Sequence, residues 1–255
     1  MVGQLGLAGS VVVVTGASGD LGQVIVDGFL DAGACVSGLD IQPGPARYEC
    51  GNPEYMACSA DLTNEEQVAR TFEQIVSRWG RVDVLVNAAG GSHSPDILDT
   101  TASLWREELE RNLTTAFLCS KAALTTMVLR RFGVFVNLSS ANAVTGVGEA
   151  AYSAAKAGLI ALTYNIAVRY GRGGIRANSL CLGVIDAGPV WRDAKARQPG
   201  IMADLAREIP TGRVGTPAEV ASLVLFLASD QSRLINGANI MADGGWSIGV
   251  GMTDL

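Results

Sequence analysis

Tyr152 and Lys156 stand four residues apart in Tyr152-Ser153-Ala154-Ala155-Lys156, a spacing that puts both side chains on one face of a helix. A phenol keeps its proton to about pH 10, and a cation within a few ångströms favours the phenolate and lowers that value. A fall of roughly three units needs ~4 kcal/mol of differential charge stabilisation, to which a Lys ammonium contributes in a dry cleft. The pair therefore reads as an acid–base couple or as an exposed amphipathic pair, and the elements around it must decide.

Val11-Val12-Val13-Val14 is too short for a buried helix and suits a strand covered on both faces. It runs into Thr15-Gly16-Ala17-Ser18-Gly19-Asp20-Leu21-Gly22. Glycines between a strand and a helix allow a tight turn and a close approach to a pyrophosphate, whose charge then sits on the N–H groups of the next helix; the alternative is an ordinary Gly-rich turn. A second strand, residues 34–39, ends in Asp40, where a dinucleotide fold places the carboxylate that binds the adenosine ribose.

On these motifs the chain resembles the short-chain dehydrogenase/reductase family, in its compact form, across essentially its whole length. The family's TGxxxGxG turn maps onto Thr15, Gly16 and Gly22, with Ser18, Gly19 and Leu21 inside the turn and Asp20 where the middle Gly usually stands. Asp61-Leu62 matches the pair expected beside the adenine ring, and Asn87-Ala88-Ala89-Gly90 matches the NNAG stretch. Asn112 corresponds to the active-site Asn, and Ser140, after Ser139, to the catalytic Ser. Tyr152 and Lys156 complete the tetrad. Ile175-Arg176-Ala177-Asn178-Ser179 and Asp243-Gly244-Gly245 match the sixth strand and the last strand end. Three departures stand out: Asp20, read as a cap on the helix N-terminus; Leu182, where a Pro usually precedes Gly183; and Ala187, where a Thr often holds the nicotinamide carboxamide.

With 255 residues, 48% of them hydrophobic, the chain can bury a large core as one domain. A net charge of −6 without a basic cluster argues against nucleic acid. There is no eighteen-residue apolar span to suggest a membrane helix and no basic-then-apolar start in Met1-Val2-Gly3-Gln4, so the reading is cytoplasmic. Five cysteines (Cys35, Cys50, Cys58, Cys119, Cys181) without a Cys-x-x-Cys read as reduced thiols, with no metal site.

The expected fold is α/β: a single Rossmann-like doubly wound domain, residues 1–255, with a seven-stranded parallel sheet and helices on both faces. Strands are expected near 11–15, 34–39, 55–60, 82–87, 133–138, 175–180 and 238–242. Helices are expected near 20–32, 64–79, 103–130, 150–171 and 217–228. Pro43, Gly44 and Pro45 mark the loop after Asp40. The Gly- and Pro-bearing segment to Arg213 reads as irregular, and by resemblance its residues 184–213 form a substrate lid in which Val190, Trp191, Ile201 and Met202 could cover a substrate.

The resemblance implies NAD-dependent interconversion of a secondary alcohol and a ketone. Tyr152 acts as general acid/base, Ser140 holds the reacting oxygen, and Lys156, with the charged nicotinamide, lowers the phenol pKa and binds the ribose. Asn112 would hold a water that gives the proton a path out. Asp40, with neither Ser18 nor Ile41 supplying a cation, implies NAD over NADP. Gly183 and Ile185 complete the cofactor contacts. Reduction of a C=N or C=C bond, or an idle NAD(H)-binding sensor, are the alternatives. Substrate identity stays open: Asn142 and Glu149 suit polar hydroxyls, Val144 and Val147 an apolar pocket, and His93, the one histidine, is either a substrate contact or a loop residue. By resemblance the long helices and the chain end, Trp246 to Leu255, would pair copies into a homotetramer.

Overall fold

A computed structural model describes residues 5–42, 52–92 and 95–249. The turn at Pro43, Gly44 and Pro45, Cys50, His93 and the chain end beyond Gly249 lie outside the described residues. Seven parallel strands, β1 (Val11–Thr15), β2 (Cys35–Asp40), β3 (Tyr55–Ser59), β4 (Val84–Asn87), β5 (Gly133–Ser140), β6 (Ile175–Leu182) and β7 (Asn239–Ala242), form one sheet in the order β3-β2-β1-β4-β5-β6-β7. The order reverses between β1 and β4, and crevices that bind ligands open at such a point, outside the strands' carboxyl ends.

The β1 valines are buried on both sides, which is why the run lacks alternation. Val12 and Val14 face one core with Val134, Val136 and Leu138, while Val11 and Val13 face the other with Leu85 and Phe135. The first core is closed by α1 (Asp20–Asp31) and later by Pro217–Ala228; the second by α2 (Glu65–Trp79) and the central helices. Asn64 and a left-handed Gly80 cap the two ends of α2. Buried Asp83 joins β4 to β1 by accepting Val11 N at 2.9 Å, with Arg81 and Arg130 as counter-ions at 2.8 and 2.6 Å.

Two regions differ from the expected elements. The helix expected over 103–130 is three pieces: α3 (Ala102–Leu109), a π-helical turn at Glu110–Thr114, and α4 (Thr115–Arg130). Asn112 sits in that turn, and such bulges occur at functional sites because the extra residue re-aims side chains. The segment expected to be irregular holds two helices, which follow the short α5 (Asn142–Thr145) and the long α6 (Ala150–Tyr170). They are α7 (Pro189–Arg197) and α8 (Ile201–Glu208), before α9 (Pro217–Ala228). Pro189 and Gly200 mark where these helices begin, since Pro is suited to the first helical position.

Strands β5 and β6 also run past their expected ends, to Ser140 and Leu182, because Ser139 pairs with Cys181 and Ser140 with Leu182. A Pro at 182 would contribute no N–H to this ladder. Leu182 O accepts from Ala141 N at 2.9 Å and so closes the strand end.

The turn from β1 into α1 depends on close backbone contact. A Cβ on Gly22 would lie 2.0 Å from Gly16 O, and Gly16 itself has φ +68°. Gly22→Ala must therefore open the turn. We expect a loss of about 1–3 kcal/mol, read as a lower urea midpoint at unchanged slope; an unchanged midpoint would show that the turn yields freely.

Candidate active site

An open cleft of about 1070 Å³ lies across the carboxyl ends of the strands, large enough for an extended ligand with a second small molecule beside it. It is lined by Gly16, Gly19, Asp20, Leu21 and Gly22 from the first turn, Asp40 and Ile41 after β2, and Asp61 and Leu62 after β3. Ala88 and Gly90 after β4, Ser140, Tyr152, Lys156, Gly183 and Ile185 complete the expected set on its wall. Thr15, Ser18, Asn87 and Asn112 stand behind that wall. Thr15 Oγ1 accepts from Ala88 N and Ala89 N, both at 3.0 Å, and so shapes the loop after β4. Ser18 N donates to Asp40 Oδ2 at 3.0 Å, which ties the Gly turn to the end of β2. Asn87 Nδ2 donates to Asn137 Oδ1 at 2.8 Å beneath the site, and Asn137 Nδ2 to Thr163 Oγ1 at 2.8 Å.

Tyr152 and Lys156 share the face of α6 that lies over the end of β5. The Lys156 ammonium is buried, donates to Leu138 O at 2.9 Å, and stands 5.6 Å from the centre of the Tyr152 ring. The two serines divide their work. Ser139 Oγ donates to Lys156 O at 3.0 Å and stitches α6 to β5, whereas Ser140 Oγ accepts from Asn142 N at 3.2 Å and, on the same cleft wall as Tyr152, favours ionisation of its phenol.

Burial governs the ionisation of the pair. Burial pushes the Tyr152 phenol up to about 12; the Ser140 hydrogen bond lowers it, and Glu149, Glu108 and Cys181 raise it. Burial likewise brings the Lys156 ammonium down to about 8, against the raising effect of Cys181 and Glu108. Desolvation disfavours each charged form, and it is the largest influence on both groups.

Asn112 is bound by protein groups. Its Nδ2 donates to Gly91 O, Glu108 O and Glu108 Oε2, each at 3.1 Å, and its Oδ1 accepts from Gly91 N at 2.9 Å. Glu108 and its neighbour Arg111 were not among the expected site residues. The sequence signal for them was a charged pair flanking Asn112 within an otherwise helical stretch.

Asp20 does not cap α1. Gly19 is the N-cap residue, with no side-chain cap. The Asp20 carboxylate instead accepts Gly188 N at 2.7 Å and pairs with Arg192 of α7. The Arg192 guanidinium and the Gly188 amide hold its carboxyl below the usual range. The carboxylate turns to these donors because they lie across the cleft mouth, and this leaves the first turn of α1 facing the cleft uncapped.

These features fit a dinucleotide. The N-terminus of α1 without a side-chain cap suits a pyrophosphate, and Asp40 stands at the end of β2 beside Ile41. Ser92 Oγ in the cleft wall is buried and has no partner among the described residues. Trp191, Trp246 and Leu205 add an apolar wall towards α7 and α8, with Asn142, Val147 and Glu149 opposite, while Val144 is exposed outside the cleft. No group of three or more metal-ligating side chains occurs among the described residues.

The family profile described as enoyl-(acyl carrier protein) reductase matches residues 16–247. Dehydrogenase/reductase SDR family member 6 of Danio rerio is 33% identical, over 95% of this chain and 99% of its own length. Among solved structures, the ligand-free aldohexose dehydrogenase AldT of Thermoplasma acidophilum superposes with a TM-score of 0.88 at 33% identity, covering 98% of this chain and 99% of that one. A variant of ElxO with NADPH bound superposes with a TM-score of 0.86 at 26% identity, over 93% and 98% of the two chains. The chain belongs to the short-chain dehydrogenase/reductase family and is an oxidoreductase of that family.

The buried ammonium gives a stability test. A Lys holds its proton to about 10.5 in the unfolded chain and to about 8 in this fold, so between those values the unfolded chain binds more protons and rising pH favours the folded one. Lys156→Met lacks this gain. The stability of the wild type relative to Lys156→Met should rise by up to ~3 kcal/mol across that window, measured by urea unfolding at a series of pH values; parallel curves would refute the burial of a charged Lys156.

Proposed function

We propose that the chain is an NAD-dependent dehydrogenase/reductase that interconverts a secondary alcohol and its ketone, with Asn112, Ser140, Tyr152 and Lys156 as its working groups. The observation that carries this reading is Ser140, Tyr152 and Lys156 meeting on one cleft wall, with the Lys156 ammonium buried 5.6 Å from the centre of the Tyr152 ring. A bound nicotinamide dinucleotide supplies the hydride acceptor or donor, and in its oxidised form a positive charge. Held by Ser140, the substrate oxygen gives its proton to Tyr152 on oxidation and recovers it on reduction. Lys156 favours the phenolate and holds a ribose hydroxyl. Its ammonium stays fixed because Leu138 O accepts from it.

Asp40 supports NAD as the cofactor. Its carboxylate is held by Ser18 N and lines the cleft beside Ile41, so it can accept from a ribose 2′-hydroxyl and repels a 2′-phosphate. Thr15, Gly16, Ser18, Gly19, Asp20, Leu21 and Gly22 would hold the pyrophosphate side. Asp61, Leu62, Asn87, Ala88 and Gly90 would shape the adenine and ribose wall, and Gly183 and Ile185 the nicotinamide end. Residues 184–213, with α7 and α8, form the lid on this reading. Glu149 and Asn142 beside Tyr152 favour a hydroxylated substrate over a wholly apolar one, in keeping with the AldT likeness. Free Cys35, Cys58, Cys119 and Cys181 support a cytosolic setting.

Tyr152→Phe keeps the ring and removes the transferable proton. Alcohol oxidation, screened with NAD and NADP over polyols, cyclic alcohols and hydroxy acids, should fall by at least ~10²-fold while NADH binding persists. The wild type should be more efficient with NAD, and Asp40→Ala should narrow that preference. Near-normal turnover by Tyr152→Phe would leave an idle binder or a C=N or C=C reductase as the better reading; equal efficiency with NADP would overturn the cofactor assignment.

The assembly is proposed to be a homotetramer. Phe117, Val128 and Leu129 on α4 and Tyr164 and Val168 on α6 are exposed apolar side chains on the two long helices, and Leu234 and Ile248, before and after β7, are exposed as well. Light scattering at micromolar concentration should give four chains; a single-chain mass rejects the assembly.

A further inference from the structure

Glu108 is 2% exposed and is the one buried side chain of α3. A carboxylate taken out of water must be paired and hydrogen-bonded, and the partners here lead directly into the site. Oε1 accepts from Arg111 Nη1 at 3.0 Å and Oε2 from Asn112 Nδ2 at 3.1 Å. The orientation of the Asn112 amide follows from this, because a flipped amide would set its oxygen against a carboxylate and its nitrogen against the Gly91 N–H. Gly90 marks the meeting point: a Cβ there would lie 2.4 Å from Asn112 Oδ1 and 3.4 Å from Lys156 Nζ. Glu108 therefore touches a side chain that, like the buried ammonium, borders Gly90.

We propose that Glu108 is a positioning residue for the proton-transfer site: with Arg111 as its counter-ion it fixes the Asn112 amide and supplies the negative charge that faces Lys156 and Tyr152. This rests on the reading of Tyr152 as the proton-transferring group. Among the described residues, the other groups that act on the pair are Glu149 at the head of α6 and Cys181 in β6, with Ser140 on the cleft wall beside the phenol. Of these, Glu108 is the buried acid, so its field is little screened by solvent. Its charge favours the protonated form of both the phenol and the ammonium, and Arg111, bonded to the other carboxylate oxygen, moderates that effect. The pair thus sets the pH at which the site changes state.

The test compares Glu108→Gln and Arg111→Met in the full-length enzyme. Two quantities are followed: the pH at which NAD-supported alcohol oxidation rises, and the ultraviolet phenolate band of Tyr152, isolated by subtracting Tyr152→Phe in the same background. Glu108→Gln should move both midpoints to lower pH by about half a unit or more, and Arg111→Met should move both upwards. Loss of turnover at an unshifted midpoint in folded Glu108→Gln would overturn the proposal and leave Glu108 as a packing residue. Should Glu108→Gln fail to fold, Arg111→Met, partly exposed at 41%, carries the test, and an unmoved midpoint there overturns it equally. If Tyr152→Phe retained turnover, the reading of the site would fail, yet the phenolate band would still report on the charge of Glu108.

Discussion

The ammonium of Lys156 is the constraint on which much of this architecture turns. A charge with 5% exposure would be strongly disfavoured without a partner, and the partner that the fold provides is the carbonyl of Leu138 at the end of β5. That bond fixes the register of α6 over β5, and Ser139, bonding the backbone of Lys156 itself, fixes it a second time. With α6 placed, Tyr152 one turn earlier is carried to the strand edge where Ser140 stands. The chemistry-bearing residues are thus held by the same bonds that dock the helix on the sheet.

A parallel sheet makes this convergence possible because all its strands point their carboxyl ends to one side. Asp40, Asn87, Ser140 and Leu182 all close their strands on that side. Beneath them the chain from Asn87 through Asn137 to Thr163 bridges β4, β5 and α6 with buried side-chain bonds. Such a network resists rearrangement, since opening one bond strands a buried polar group. The flank that carries α7 is different in kind: α7 buries no residue fully and is tied to the first turn by Asp20 and to Asp186 by Lys195, through partly exposed pairs. Exposed pairs of this sort are weakly stabilising, so this flank can shift without disturbing the wall that carries Tyr152.

Most of the sheet was legible in the sequence because buried parallel strands are short β-branched runs, and the Gly turn and Tyr-x-x-x-Lys spacing lie at their ends. The π-helical turn was not legible, because Glu110–Thr114 has the same hydrophobic period as the helices on either side of it. Helices α7 and α8 were hidden for a related reason: Gly188, Pro189 and Gly200 punctuate a chain, and punctuation before a helix looks like punctuation inside a loop. Asp20 suited a cap by its position, and only the placement of Gly188 and Arg192 across the cleft turns its carboxylate outward. The spacing of Tyr152 and Lys156 shows that a cation is near the phenol and says nothing of how much water both groups lose.

That loss of water sets the two members of the pair against each other. A low-dielectric wall raises the phenol to about 12 and lowers the ammonium to about 8, so the protein alone favours the neutral phenol and weakens the cation meant to ionise it. A positive charge placed beside the phenol would lower its pKa, and would by the same field make the ammonium easier to discharge. A fixed anion buried on the other side of the ammonium opposes that second effect, and Glu108 occupies such a place behind Asn112. The anion also raises the phenol, so its value to the site depends on acting more strongly on Lys156 than on Tyr152.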